Sequence, residues 1–424
     1  MAQNLAKSLT AFKGTALLIN IVIGAGLLTL PGLAVKIAGD HALLSWILAS
    51  AVSVPLLAVF VILGRSMPEA GGLAAYGRRA FGPFGQRVAS FLFLGAVVFG
   101  LPAIALTGGH YLATLVGGDA RFHAILLVLV ALLPHMLPGN GAANLMGWIA
   151  SLVVVAITVF LAAGLLGVYA GPAGGSTPIL PAQISATTLV APFMMIFFAF
   201  TGWEVGAGSA EEYANPRRDF PIAMIASFVI VTIFYLLIAF VAQKTNLAGA
   251  HEAPFVAFVR PVLGEAGAIA VAVLAALIIL ANLSGAVWGV SRMVFSLARD
   301  GILPPVLAAT RNGQPLSAVI VTVGAIISVL VTDFLFHLGL DTMLARAGLN
   351  FLLLYAIAAA SLVVLSRGIG PRILGVAVIL IVAGIIGWSR FPVLYPALLI
   401  ALAIMSEGGA RMRVLVGTRK KDPA

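Results

Sequence analysis

The amino-acid sequence predicts an all-α membrane protein of twelve transmembrane helices, built as a five-plus-five inverted repeat with two added helices. Three observations carry this expectation. Hydrophobic residues make up 62% of the 424 and charged residues only 9%, with a mean hydropathy of +1.14; soluble domains average ~25% charged residues. Lys and Arg fall mostly into alternate loops. Two apolar runs, five apart in order, are interrupted near mid-length.

Apolar runs of ~20 residues mark membrane helices. They follow one another at 14–37, 43–64, 86–115, 122–138, 144–169, 189–210, 221–242, 266–297, 316–335, 341–365, 371–388 and 392–408. The polar segment 1–13 precedes a first run longer than the apolar region of a cleavable signal peptide, so that run is expected to stay as a span. The first repeat is then 14–169, the second 189–365, the added pair 371–408, and 409–424 a basic tail. No connection is long enough to hold a soluble domain.

Orientation follows from the basic residues. With the N-terminus in the cytoplasm, eighteen of the 24 Lys and Arg lie inside. Lys36, Arg121, Lys244, Arg260 and Arg390 lie outside, and Arg346 falls within span ten. Both termini on the positive side require an even number of spans. The same bias explains the net charge of +10 without any nucleic-acid partner. The chain has no Cys, which excludes disulfides, thiolate metal sites and thiol nucleophiles.

Span one reads "NIVIGAGLLTLPG", with Gly24, Ala25 and Gly26 at its centre and Pro31 beyond. Small residues in a span also serve close helix packing. Span six, "APFMMIFFAFTGWEVGAGSAEE", repeats the interruption at Thr201, Gly202 and Trp203. Interrupted helices at matching places in two halves mark the binding site of many secondary transporters. An unwound turn at mid-membrane offers amide donors and carbonyl acceptors beside a half-helix terminus that favours anions. A zwitterionic α-amino acid supplies a carboxylate for the first and an ammonium for the second. The expected substrate contacts are Ile23, Gly24, Ala25, Gly26, Phe198, Thr201, Gly202 and Trp203. Among the aromatics Phe197, Phe198, Phe200 and Trp203, the last is the first choice to wall the cavity.

Glu204 reads as the acidic residue well inside a span, a costly placement that is functional by default. A buried carboxyl is harder to ionise, which suits reversible protonation. In span eight, Asn282 and Ser284 suit either interhelical bonds or an ion position; in span ten, Arg346 suits either snorkelling or a pathway. His110, His135 and His337 lack metal-ligand spacing, and His135 falls in the loop-like "PHMLPGNG". No G-x-S-x-G elbow and no Walker A sequence occur, so neither catalysis nor ATP-driven transport is expected. No ring of polar residues lines several spans, which argues against a channel.

With these residues in hand, the chain resembles the amino acid–polyamine–organocation permeases over nearly its whole length. "NIVIGAGLLTLP", "PEAGGLAAYGRRAFG", "FAFTGWEVGAGSAEEYANPRRDFPIA" and "SRMVFSLARDGILP" match that family's motifs in order. Within it the chain is similar to bacterial efflux permeases for methionine and branched-chain amino acids, which share the "GLPAIAL" of span three and the "EEYANPRRDFP" loop. The resemblance implies an exporter of methionine, leucine, isoleucine and valine, driven by proton antiport across the bacterial cytoplasmic membrane. It assigns proton coupling to Glu204 and substrate gating to Phe198. It places Ala286 where the similar arginine/agmatine antiporter stacks substrate on Trp, which fits an apolar side chain better than a guanidinium. The lysine that some relatives carry in span five, in place of a sodium ion, is absent from "NLMGWIASLVVVAITVF". Sodium coupling, and import or exchange by the same fold, stay open. The expected partners are an amino acid, protons or sodium, and the lipid bilayer, with no cofactor and no metal, in a monomer or homodimer.

Overall fold

Backbone amides in hydrocarbon find no water, so each span closes its hydrogen bonds on itself as helix. The computed structural model obeys this along the chain, and it describes residues 7, 9–23, 25–68, 72–136, 141–170, 178, 180–311, 314–389 and 393–419. Gly24 lies outside the described residues, as does the side chain of Ala25. Among the described residues there are no strands beyond two isolated bridges.

The first predicted span is two helices. α1 (Ala11–Val22) starts from Thr10, whose side chain accepts from the Lys13 amide, and stops at Ile23, where ψ is 89°. α2 (Ala25–Ala38) resumes at once, so Gly26 is already helical. Pro31 inside α2 lacks an amide to donate; beside it, the Tyr111 hydroxyl donates to the Leu28 carbonyl at 2.7 Å. A 3₁₀ turn at Gly39–His41 leads into α3 (Ala42–Ser66). Then come α4 (Gly72–Val116), α5 (Ala120–Met136) and α6 (Gly141–Ala170). The sixth predicted span is three short helices, α7 (Ala186–Val190), α8 (Phe193–Ala199) and α9 (Trp203–Ala207). Its break is held open at Gly202, whose φ of 110° only glycine adopts without strain. The rest are α10 (Pro216–Lys244), α11 (Pro254–Arg299), α12 (Leu316–Phe336), α13 (Leu340–Leu365), α14 (Ile369–Ser389) and α15 (Leu394–Arg419).

Among the described residues, eight helical stretches are long and apolar enough to cross a membrane. One of them, Gly26–Ser66, joins α2 to α3 through the 3₁₀ turn. Among the described side chains, further apolar stretches of α5, α6 and α15 lie at Ala120–His135, Val155–Tyr169 and Leu394–Ser406. The sequence reading also missed helix that precedes two spans. α4 begins at Gly72 rather than 86 and bends at Gly82 (φ 67°, ψ −159°); α11 begins at Pro254 rather than 266 and bends at Gly264 (φ 64°, ψ −160°). Hydropathy reports only the apolar portion after each bend. His135, read as a loop residue, lies in the last turn of α5.

Helices meet closely where side chains are small. A Cβ at Gly348 of α13 would collide with the Met194 carbonyl of α8, and one at Gly32 of α2 with the His251 carbonyl. The second approach lets the connection before α11 strap α2: Thr29 Oγ1 donates to the Glu252 carbonyl at 2.8 Å, and Lys36 Nζ lies 2.7 Å from Glu252 Oε1. Burial alone would raise the Glu252 pKa, but the Lys36 hydrogen bond and charge outweigh it and hold the carboxyl below its ordinary value. The pair therefore contributes fully above the unfolded value of ~4.3 and is lost as pH falls through the lower native one.

At the same end of the bundle, Arg121 Nε of α5 donates to Asp333 Oδ2 of α12 at 2.7 Å, and Asp333 Oδ1 accepts from the Gly339 amide at 2.8 Å. Asp333 is 1% exposed. It is a buried acidic residue at the end of a predicted span, which the sequence reading had passed over. Asp333→Asn keeps the cap but leaves the guanidinium with only its longer contact to Asp119 at 3.4 Å. Fully buried pairs cost ~3–5 kcal/mol to break; with Arg121 a quarter exposed, about 2 kcal/mol is expected here. A lowered unfolding midpoint in detergent solution is the readout, and an unchanged midpoint would remove the clasp from the stability of the bundle.

Candidate functional site

The interrupted helices leave carbonyls without intrahelical partners, and specific side chains take them up. The Tyr235 hydroxyl of α10 lies 2.8 Å from the Ala199 carbonyl, at the end of α8, and 3.2 Å from the Val22 carbonyl, at the end of α1. One hydroxyl thus joins both breaks. Its ring is fixed by Trp46 and Phe200 at centroid distances of 5.4 and 5.2 Å. Thr201 Oγ1 donates to the Phe198 carbonyl at 2.7 Å.

Glu204 stands in the first turn of α9 and is 6% exposed. Its carboxyl accepts from the Gly202 amide at 2.9 and 3.1 Å and from the Tyr355 hydroxyl of α13 at 2.6 Å. Phe60 and Phe197 hold the Tyr355 ring by edge contacts at 4.8 and 5.6 Å.

Between the breaks lies a cavity of about 170 Å³. Of the predicted site residues, Gly26, Phe198, Thr201, Gly202, Glu204 and Asn282 line it. Its remaining wall is apolar and comes largely from α4, through Phe93, Gly100 and Ile104. Phe351 of α13 faces Phe198 at a centroid distance of 6.2 Å. A second cavity of about 220 Å³ shares Phe93, Glu204 and Val205 with the first and runs on past Ser90, Gly208 and Met293. Glu204 therefore borders two adjacent spaces.

Other predicted residues lie elsewhere. Trp203, the first choice as a cavity wall, is 1% exposed and packs on Phe228 of α10 at 5.8 Å. It opens α9 one residue before Glu204, and the helix turn sends the two side chains to different sides. Ile23 is buried outside the cavity lining. The Ser284 hydroxyl meets His135 Nε2 at 3.3 Å, in a polar contact between α11 and α5. Ala286 packs against the core rather than the cavity. The Arg346 guanidinium lies 4.9 Å over the Phe99 ring, off the cavity. No group of three or more His, Asp or Glu suited to a metal occurs among the described residues.

Tyr235, Tyr355 and Phe351 were missed from sequence. The available signal was a tyrosine inside an apolar run, since a buried phenol requires a partner for its hydroxyl.

A membrane-spanning helical bundle with a cavity between two interrupted helices defines a permease class of site. The chain belongs to the amino acid permease family, which matches residues 9–410. It is 30% identical to the uncharacterized amino acid permease YecA of Bacillus subtilis, covering 98% of this chain and 99% of that one. It is 29% identical to the L-methionine/branched-chain amino acid exporter YjeH of Escherichia coli, over 83% of this chain and 85% of that one. It is 24% identical to the aromatic amino acid transport protein AroP of Corynebacterium glutamicum, over 71% of this chain and 68% of that one.

Tyr235→Phe keeps the ring packing and strips the donor from two buried carbonyls. A buried group left unsatisfied costs ~1–3 kcal/mol, so a lower unfolding midpoint is expected in detergent. Wild-type stability in that variant would show that the breaks are satisfied without it.

Proposed function

We propose that this chain is a secondary active transporter of neutral apolar amino acids such as methionine, leucine, isoleucine and valine, exporting them from a bacterial cytoplasm by proton antiport. The observation that carries the reading is the cavity between the two breaks, apolar along α4 and bordered by Glu204. The half-helix ends divide the labour. The first amides of α2 have no intrahelical partners and suit the substrate carboxylate. The carbonyl ends of α1 and α8 carry the negative end of the helix dipole and suit the ammonium. The amide at the second break is already taken by Glu204, which leaves α2 as the carboxylate's seat. Phe198, Phe351 and Gly100 take the side chain.

Protonating Glu204 removes the anion that holds the Gly202 amide and the Tyr355 hydroxyl. Proton uptake thus loosens the second break, and this is the proposed coupling step. Export is proposed because YjeH is named an exporter. With the N-terminus in the cytoplasm, as the basic residues argue, the second cavity leads from the site toward the cytoplasm.

Twelve crossings and the five-plus-five inverted repeat, 14–169 against 189–365, complete the proposal. The two bends support the repeat. Gly82 and Gly264 sit before the third long span of each half with nearly the same φ and ψ, and each ends a ten-residue helix.

Proteoliposomes with an imposed pH gradient and a panel of labelled amino acids test the function. Uphill movement of apolar amino acids against proton flow is expected; transport indifferent to the gradient would overturn proton coupling, and opposite direction would overturn export. Glu204→Gln should flatten the pH dependence of exchange while the protein still inserts and binds. A pH profile like wild type would take Glu204 out of the mechanism. At Gly26 a bare Cβ meets Leu30 Cδ1 at 3.2 Å and Phe198 Cδ1 at 3.7 Å. Gly26→Ala should therefore be tolerated, whereas the γ-carbons of Gly26→Val would fill the cavity and weaken substrate binding at least tenfold. Equal affinity in Gly26→Val would place the substrate elsewhere.

A further inference from the structure

A third cavity, larger than the other two at about 380 Å³, lies at the end of the bundle where α2 finishes. It shares no lining residue with the central cavity. All three spaces are nonetheless arranged along α4: Ala89, Ser90 and Phe93 line the second, Phe93 through Ile104 the central one, and Leu106, His110 and Ala113 the third. The three spaces thus follow one another along the length of α4, the third beyond the central one and on another face of the helix.

Its chemistry differs from theirs. Leu33, Leu106 and Leu340 give it apolar patches, while both signs of charge stand on its walls. Arg121 is engaged by Asp333 at 2.7 Å and Asp119 at 3.4 Å. Lys36 gives one contact to Glu252 at 2.7 Å and is 54% exposed. An ammonium has three donors, so Lys36 keeps two for another acceptor. Asp341 has no hydrogen-bond or ion-pair partner among the described residues, and neither ring nitrogen of His110 has a hydrogen bond there. A spare ammonium, a spare carboxylate and an apolar patch share one space, whose volume falls in the ~300–1,000 Å³ range of ligand pockets.

We infer that this cavity is a second station for a zwitterionic α-amino acid, its carboxylate on Lys36, its ammonium on Asp341 and its side chain over Leu33 and Leu106. The inference rests on the transport reading above and adds a site outside the central one. A substrate that crosses the barrier between the cavities is received by paired charges before it reaches water.

Equilibrium binding of labelled L-leucine and L-methionine to the purified chain, and kinetics measured separately from each face of proteoliposomes, test it. Wild type should bind two molecules per chain and Asp341→Asn one. Asp341→Asn should raise the KM at the Lys36 face at least tenfold and leave the KM at the opposite face unchanged, with Asp341→Glu restoring it. One molecule per wild-type chain, or equal KM at the Lys36 face in wild type and Asp341→Asn, overturns the station and leaves the transport reading standing. No binding at all by wild type overturns both. The wild-type stoichiometry decides the matter even if a variant fails to fold.

Discussion

The fold depends on one constraint: a helix interrupted inside the bilayer must find other partners for the amides and carbonyls it exposes. Two interruptions lie side by side here, and the protein answers them together. Tyr235 reaches a carbonyl at each break, and Glu204 with Tyr355 closes the second break from the amide side. These partners are buried aromatic or acidic groups fixed by packing, so the helix ends beside each break are held in place. In the transport reading, the substrate takes up what they leave unsatisfied. The site is thus what remains of a backbone problem after the protein has solved most of it.

The interruptions themselves were legible in sequence, because Gly-Ala-Gly and Thr-Gly-Trp in apolar runs are poor helix formers. Glu204 was legible for the same kind of reason, as a charge where charge is costly. Trp203 was not, because the direction of a side chain beside a break depends on a φ of 110° at Gly202 that no periodicity encodes. Tyr235 lies 36 residues from one carbonyl it bonds and 213 from the other. Nothing local marks such a residue beyond its presence in an apolar run.

The two halves show no obvious identity in sequence, yet "FGPFGQ" and "LGEAGA" place a bending glycine, and a second glycine three residues on, at corresponding points. The second glycine in each serves close approach: a Cβ at Gly85 would meet the Gly77 carbonyl, and one at Gly267 the Leu263 side chain. Hydropathy is blind to this, since glycine adds little to a moment or a mean. The proposed repeat is one of backbone geometry, where a positive φ admits few residues besides glycine, and not of side chains that face different neighbours.

The two ends of the bundle are fastened by different chemistry. Where α1 starts, Leu9 exchanges backbone hydrogen bonds with Glu212 and Ala214, tying the beginning of one broken pair to the end of the other. Where α2 ends, the fastening is a strap made of Lys36, Thr29 and His251. Each such contact is worth ~0.5–1.5 kcal/mol net, so three of them hold the closed strap at roughly tenfold to a thousandfold over the open one. A ligand shifts such a balance only through unequal affinity for the two states. α2 carries the strap at Thr29, Gly32 and Lys36 and, in the transport reading, the carboxylate seat at its first amides. Substrate and strap therefore act on opposite ends of one fourteen-residue helix, and that helix is the element on which the two can be coupled.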